Sequence, residues 1–399
     1  MGREKLFRDY RLPSAYHGYW IRDMDQARAD DASLLLPPPG GEQPRYLFFP
    51  GCQLGASDPR YPKATYELLL QAEPATALLL TCCGAPVYWA GEIELYRSVQ
   101  NELKQIWEQM GQPLLVLACL SCQQIFNYVL PQIKTTTLYE VLAAAPQVKL
   151  PTYASDEVFA LADPCTARGN QGVRDAVCSL LDRMHVHYQI LHQDMEHLPC
   201  CGFGGNIHGA NPDKVRQVAK KRIGVDPRPF IAYCANCRDI YAAAGKDTAH
   251  LIDLLTGING KDRPVPHLSL RRDNRRQARQ RVLGEKQPTL IRGIKLVFDD
   301  DQAQLMDRNY INTDYVIQVI EHGETTKEKL IDDQGNNLAH LRLCDATVWV
   351  EYQKLADNEY RLVNCYYHRM EPVGLPEEAA ACEIPGASVG GGQEHGKKA

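Results

Sequence analysis

Through the first 260 residues, short apolar runs alternate with longer stretches in which apolar positions recur at helical spacing. Tyr46-Leu47-Phe48-Phe49 predicts a strand that ends at Pro50. A helical pattern over residues 62–70 follows, with proline suited to its first turn. Residues 77–80 predict a second strand, residues 92–110 a long helix, and residues 114–117 a third strand. The same order then recurs. A strand over 159–161 precedes a helix over 173–184, a strand over 188–191 follows, and a helix near 213–222 leads to a strand over 230–232. Apolar strands alternating with helices predict an α/β fold whose parallel sheets are covered by helices.

After Leu255 that alternation stops. Residues 257–266 hold glycine and proline, and six arginines fall between Arg271 and Arg281, which predicts a solvated helix or a contact to an acidic partner surface. Farther on, residues 302–320 read as one helix with Leu305, Val316, Val319 and Ile320 on its apolar face. Residues 347–352 and 361–367 alternate as strands of a hairpin. The expected organisation is an N-terminal arm and linker (1–44), a first repeat (45–150), a second repeat (151–260), a basic linker (261–289), a small α+β domain (290–372) and a disordered tail (373–399). In the arm, Tyr10, Tyr16, Tyr19 and Trp20 suit a strap packed on the chain's own core, and Pro37-Pro38-Pro39-Gly40-Gly41 breaks regular structure.

The recurrence is sharpest in the cysteines. Pro50-Gly51-Cys52, Cys82-Cys83-Gly84 and Cys119-Leu120-Ser121-Cys122 are matched by Asp163-Pro164-Cys165, Cys200-Cys201-Gly202 and Cys234-Ala235-Asn236-Cys237. Ten of the fourteen cysteines thus form two sets of five, offset by 113, 118 and 115 residues at Cys52, Cys83 and Cys122. Offsets that agree so closely mean an internal duplication. Every cysteine group follows a predicted strand and precedes a predicted helix, so all five of a set would meet at the carboxyl ends of the strands, where helix N-termini favour anionic thiolates.

Composition narrows the class. Apolar content of 44% and charged content of 23% are those of a globular protein with a real core. The net charge of −5 gives no basis for binding nucleic acid, and no apolar run approaches the ~20 residues of a bilayer span. With no apolar leader in residues 1–30, and with clustered cysteines in a chain large enough to need no disulfide framework, a cytoplasmic location is expected.

Three chemistries compete for the cysteines. Structural zinc takes four ligands, whereas each set offers five. A dithiol redox pair would use CxxC and leave three cysteines per set unexplained. Iron–sulfur chemistry uses all ten. Gly202-Phe203-Gly204-Gly205 is not a dinucleotide fingerprint, since Ile207 stands at the third glycine position. It reads instead as close backbone approach, with amide N–H groups bonding sulfurs.

The duplicated pattern, with Gly84 and Gly202 after the cysteine pairs, resembles the cysteine-rich "CCG" repeat of the heterodisulfide reductase B-like family over residues 45–257. Related copies occur in the iron–sulfur subunits of glycolate, lactate and anaerobic glycerol-3-phosphate oxidation systems. The resemblance implies two tandem CCG-type α/β units with cysteine clusters at the strand C-terminal ends. It also implies two non-cubane [4Fe–4S] clusters, one on Cys52, Cys82, Cys83, Cys119 and Cys122, the other on Cys165, Cys200, Cys201, Cys234 and Cys237. Gly84, Gly202, Gly204 and Gly205 would approach them. A disulfide would be cleaved between the clusters, with electrons from ferredoxin-like or flavoprotein subunits (heterodisulfide reductase C- and A-like) that could also attach the complex to a membrane. An electron-relay subunit of a flavoprotein dehydrogenase, and a structural zinc–thiolate module, remain open alternatives. His208 is the candidate proton donor beside the cleaved sulfur. Cys178, Cys344, Cys365 and Cys382 read as thiols outside the sites, and His185, His187, His192 and His197 as a solvated surface.

Overall fold

The computed structural model describes residues 4–6, 18–260, 263–285, 291–343 and 346–368. Tyr10, Tyr16, Cys344, Cys382 and the expected tail lie outside these residues. The arm contributes β1 (Leu34–Leu36), and the first repeat contributes β2 (Tyr46–Phe49), β3 (Thr76–Leu80), β4 (Leu114–Leu117) and β5 (Thr135–Thr137). These form one sheet in the order β1-β3-β2-β4-β5, parallel except for β1. The second contributes β6 (Val158–Ala162), β7 (His187–Ile190), β8 (Phe230–Ala232) and β9 (Thr248–His250), in the order β7-β6-β8-β9 and parallel throughout. Apart from β1, the two sheets share one topology. Their central strands are apolar end to end because helices cover both faces, as the near-complete burial of β2, β3 and β4 shows.

This order places a switch point in each repeat. From β2 the chain crosses to β3 on one side and then to β4 on the other, and β6, β7 and β8 do the same. Loops leaving neighbouring strands in opposite directions open a crevice at their carboxyl ends. Cys52 and Cys119 follow the central pair β2 and β4. Cys165 and Cys234 follow β6 and β8.

The stretch expected as a solvated basic linker contains a helix, Leu268–Leu283, wedged among the other parts of the chain. Arg271 meets Asp239 at 2.8 Å and Gln53 at 2.7 Å. Arg272 reaches Asp23 and Asp314 at 3.3 Å each, and Arg276 binds Asp314 at 2.9 Å. Arg275, 4% exposed, grips Asp23 at 2.7 Å and also donates to the Cys52 carbonyl at 3.3 Å. Arg271, Arg272 and Arg275 are buried by pairing with carboxylates, so the solvated reading is corrected for that face of the helix.

The remaining described chain forms a sheet of β10 (Lys295–Val297), β11 (Lys329–Ile331), β12 (Asn337–Leu343), β13 (Ala346–Ala356) and β14 (Glu359–His368), in the order β10-β14-β13-β12-β11. β13 and β14 are the expected hairpin. The single helix expected over 302–320 is two, Asp300–Arg308 and Thr313–Thr326, separated where Tyr310 takes φ 51° and Asn312 caps the second helix through the Tyr315 amide. Within the arm, the helix Gly18–Gln26 buries Tyr19, Trp20, Asp23 and Met24 against the core, as a strap would.

Candidate metal centres

Each cysteine loop runs from a strand directly into a helix. Cys52 opens the helix Cys52–Ser57 behind Gly51, whose φ of 85° only glycine adopts readily. A side chain there would press on Cys119 Cβ at 3.1 Å and Cys122 Sγ at 3.3 Å. Cys119 and Cys234 are the N-caps of Leu120–Val129 and Ala235–Ala243, so the leading cysteine of each CxxC faces the positive end of a helix. Cys165 begins a short 3₁₀ turn, Cys165–Ala167. Gly84 and Gly202 take φ of 83° and 102°, which turns the chain sharply after each cysteine pair. The Gly202 amide donates to Cys200 Sγ at 3.3 Å.

The ten thiols gather as two groups. In the first, Cys52 Sγ donates to Cys82 Sγ at 3.4 Å. Sulfur–sulfur hydrogen bonds from Cys122 and Cys82 bring the Cys83 thiol down to about 6. Cys119 is lowered by Cys122 and by amides of its own helix start. The second group differs in which member of the adjacent pair is lowered, Cys200 there where the first group lowers Cys83. Cys200 is lowered strongly by hydrogen bonds from Cys165 and Cys201, and Cys234 by Cys237 and the amides of Cys237 and Asn236. Thiols crowded into a buried site share protons, and those at helix starts hold thiolate most readily. The groups also sense each other, since charge on Cys234 opposes charge on Cys119. Tyr139 lies within reach of both cysteines, fully buried, donating to the Tyr233 carbonyl at 3.1 Å.

Surroundings divide the two groups. Around the first, Met24 and Ala27 of the arm pack in the same apolar cluster as Cys82, Cys83 and Cys122. The space left beside Cys52 and Arg275 is about 20 Å³. The second borders an open cavity of about 600 Å³. Cys165, Cys200, Cys201, Cys234 and Cys237 form its floor, and the first repeat supplies its other wall through Tyr88, Trp89 and the helix Leu120–Val129. Among the described residues, no three His, Cys, Asp or Glu side chains converge as ligands of a single ion would. Five soft thiols per group, helix starts and sulfur-directed amides suit a thiolate-ligated cluster of several irons.

Comparison with known proteins agrees. A model of the cysteine-rich domain named CCG matches twice, over residues 46–127 and 159–238. The chain carries two CCG domains. Over 210 residues, 49% of the chain, it is 23% identical to an uncharacterized iron–sulfur protein of Methanococcus maripaludis. That match spans 40% of the relative's length. The two cysteine sets thus fall within the matched CCG domains, and the relative is an iron–sulfur protein. No described helix is long and apolar enough to cross a membrane.

Other expected residues fall in different places. Gly204 lines the cavity, and Gly205 turns the chain beside it with φ of 74°. His208 is not part of the cavity wall. Its ring packs against Trp20 and Phe203, with centroids 5.8 and 6.1 Å away, so Phe203 rather than His208 meets the cavity. Burial, then the charges of Arg271 and Arg216, lower its pKa to about 4. Its ring thus stands behind Phe203, a placement that lends the proton-donor expectation no support. Cys178 is half-buried in its helix and Cys365 is fully buried in β14, away from both groups. His187 is exposed on the edge strand β7. Sequence reasoning missed Tyr88, Trp89 and Phe203, whose aromatic character was the only signal, and Asp23 and Arg275, which carried none.

Proposed function

We propose that this chain is the disulfide-acting iron–sulfur subunit of a heterodisulfide reductase-type electron-transfer complex. The observation that carries this reading is the 600 Å³ cavity floored by one complete five-cysteine set and walled by the other repeat. The side of that cavity walled by Tyr88, Trp89 and Tyr128 leaves room for a substrate beside the cluster the five cysteines would hold. Cys52, Cys82, Cys83, Cys119 and Cys122 would hold one [4Fe–4S] cluster, and Cys165, Cys200, Cys201, Cys234 and Cys237 the other, both in the non-cubane form. Such clusters supply one-electron transfers and a sulfur-seeking iron when bound. The chain's own residues crowd the thiols, point helix starts at them, and bury Cys82, Cys83 and Cys122 of the first set in the cluster that includes Met24. Electrons come from ferredoxin-like or flavoprotein subunits in the cytoplasm, with any membrane attachment made through those subunits.

The test is iron, acid-labile sulfide and zinc content of anaerobically purified protein, with EPR before and after adding thiol and oxidant. About eight irons per chain and a signal perturbed by thiol are expected. About four irons, or a signal indifferent to thiol, would favour the relay role. Zinc without sulfide would exclude both.

A further inference from the structure

One side chain reaches toward both cysteine sets, and it belongs to neither CCG domain. Arg271 lies in the helix Leu268–Leu283, beyond the matched residues 46–127 and 159–238. It is 7% exposed, and its fork spans the seam between the repeats. Nη1 donates to Asp239 at 2.8 Å, while Nη2 donates to Gln53 Oε1 at 2.7 Å and to Asn236 Oδ1 at 3.4 Å. Gln53 follows Cys52 directly, and Asn236 lies between Cys234 and Cys237. The next turn of the same helix fixes this reach. There Asn274 donates at 2.9 Å to the Ala56 carbonyl, in the helix that Cys52 opens.

Each of the two residues passes the charge on. With its oxygen on Arg271, Gln53 donates through Nε2 to Cys52 Sγ at 3.8 Å. Asn236 offers its backbone amide to Cys234. Hydrogen-bond chains headed by an ion are polarised by it, the more so in a buried site. Asp239, 4% exposed, offsets part of the charge, but it sits on the other nitrogen and is also held by Ser57 at 2.9 Å and Arg238 at 3.3 Å. The Ser57–Asp239 bond already ties the two repeats, so the seam has a link that does not need Nη2. Reduction adds negative charge to a thiolate-ligated cluster, and a cation facing its ligands favours the reduced form.

Resting on the reading that each set holds an iron–sulfur cluster, we propose that Arg271 is a positioning residue shared by the two centres. It holds Cys52 through Gln53 and the Cys234–Cys237 loop through Asn236, and it raises the reduction potentials of both. Arg271 touches no reacting atom. One side chain from outside the duplicated region thus sets how readily both repeats accept an electron.

Redox titration of the anaerobically purified holoprotein, followed by EPR, tests this without turnover. Cys119→Ser and Cys234→Ser, each leaving one set whole, assign the signals. Arg271→Gln removes the cation and leaves Asp239 less compensated, and both effects make the field at the sulfurs more negative. At a fixed potential the ratio of reduced to oxidised cluster should fall about tenfold in each set, a shift of about 59 mV for one electron, with iron content unchanged. Arg276→Met, on the same helix and paired with Asp314 at 2.9 Å, should move neither potential. Gln53→Leu should lower the first set alone and Asn236→Leu the second alone, and these two decide the matter if Arg271→Gln does not fold. Unmoved potentials in Arg271→Gln, a shift confined to one set, or equal shifts in Arg276→Met overturn the inference. Unmoved potentials in Gln53→Leu and Asn236→Leu do so too. About four irons in the unaltered protein would instead remove the two-cluster reading, and the inference with it, before any substitution is made. The two failures are therefore distinguishable.

Discussion

The two cysteine sets have the same order and stand at the same switch point of two like sheets, yet different structures support them. Behind the second set, support is local: buried Asp163, adjacent to Pro164-Cys165, is bound by Arg174 at 2.6 Å and by the Tyr233 hydroxyl at 2.5 Å. Behind the first, support comes from afar, as Arg275 ties the Cys52 carbonyl to Asp23 across about 250 residues of sequence. The sheet edges differ in the same way. β3 is covered by β1, whereas its counterpart β7 is an exposed edge. Duplication therefore supplied two equal ligand sets, and added segments closed one while the other kept an open chamber. Equal coordination chemistry does not imply equal access.

The largest expected effect comes from removing a ligand on each side. Cys119→Ser and Cys234→Ser should each lose about half of the bound iron. Only the Cys234 variant should also lose the EPR response to added thiol, because its set floors the cavity. Loss of the response in the Cys119 variant alone would reverse the assignment of access. Next in size is the buried support. Arg275→Met leaves buried Asp23 with Arg272 at 3.3 Å as its remaining close partner, so the cost should approach but not reach the ~3–5 kcal/mol of a fully unpaired buried charge. Burial opposes the Asp23 charge, but Arg275 with Arg272 outweighs it and holds the pKa at about 2. Denaturant unfolding should register that loss, and iron should leave the first set preferentially. Arg174→Met should do the same to the second set. Identical iron release from both variants would mean that the supports are not separate.

Much of the site was legible before the structure. Apolar runs mark parallel strands strongly, and cysteines placed directly after them fall at strand ends by necessity. The strand Tyr46–Phe49 and the helix Ile93–Gln109 lie where the pattern put them, within a residue or so. What escaped was whatever depends on distant partners. Arg271, Arg272 and Arg275 look solvated in one dimension, because their burial is conferred by Asp239, Asp23 and Asp314. Some signals were present and unread. Leu34-Leu35-Leu36 precedes the proline run as a short strand, Asn312 is a plain N-cap, and residues 337–343 alternate as β12. The cavity could not be read from periodicity, since its two walls come from different repeats.

At the seam between the repeats, a smaller effect depends on pH. His250 ends β9 in the second repeat, caps the following helix through the Ile252 amide at 3.1 Å, and packs on Tyr61 of the first repeat at 5.4 Å. Burial, then Arg263 and Arg238, lower its pKa from 6.5 to about 3. The unfolded chain therefore binds a proton in a range where the folded chain does not. Stability from this residue is fully present above pH 6.5 and is lost as pH falls toward 3. By pH 5 the loss should be about 2 kcal/mol. His250→Asn, which keeps a capping side chain, should flatten the decline between pH 7 and pH 5 in chemical denaturation. An unchanged slope would mean that the seam does not bury this imidazole.

The smallest effect is expected at His208, where the sequence suggested chemistry and the packing suggests none. An acid working beside a cleaved sulfur must hold a proton near neutral pH and reach the reacting atoms. His208 meets neither condition: its pKa lies near 4, and Phe203 stands between its ring and the cavity. Its backbone carbonyl accepts from Tyr310 at 3.0 Å, a contact that survives any side-chain change. His208→Gln should thus change disulfide reduction with a viologen donor by less than about twofold and leave its pH profile between 6 and 8 unmoved. Removal of a true proton donor costs about 10²–10⁴-fold and erases one limb of that profile. A loss of that size with a shifted profile would return His208 to the reaction and require Phe203 to swing aside. A uniform small loss would report only the disturbed packing against Trp20, and the open side of the molecule would then draw its protons from water in the chamber.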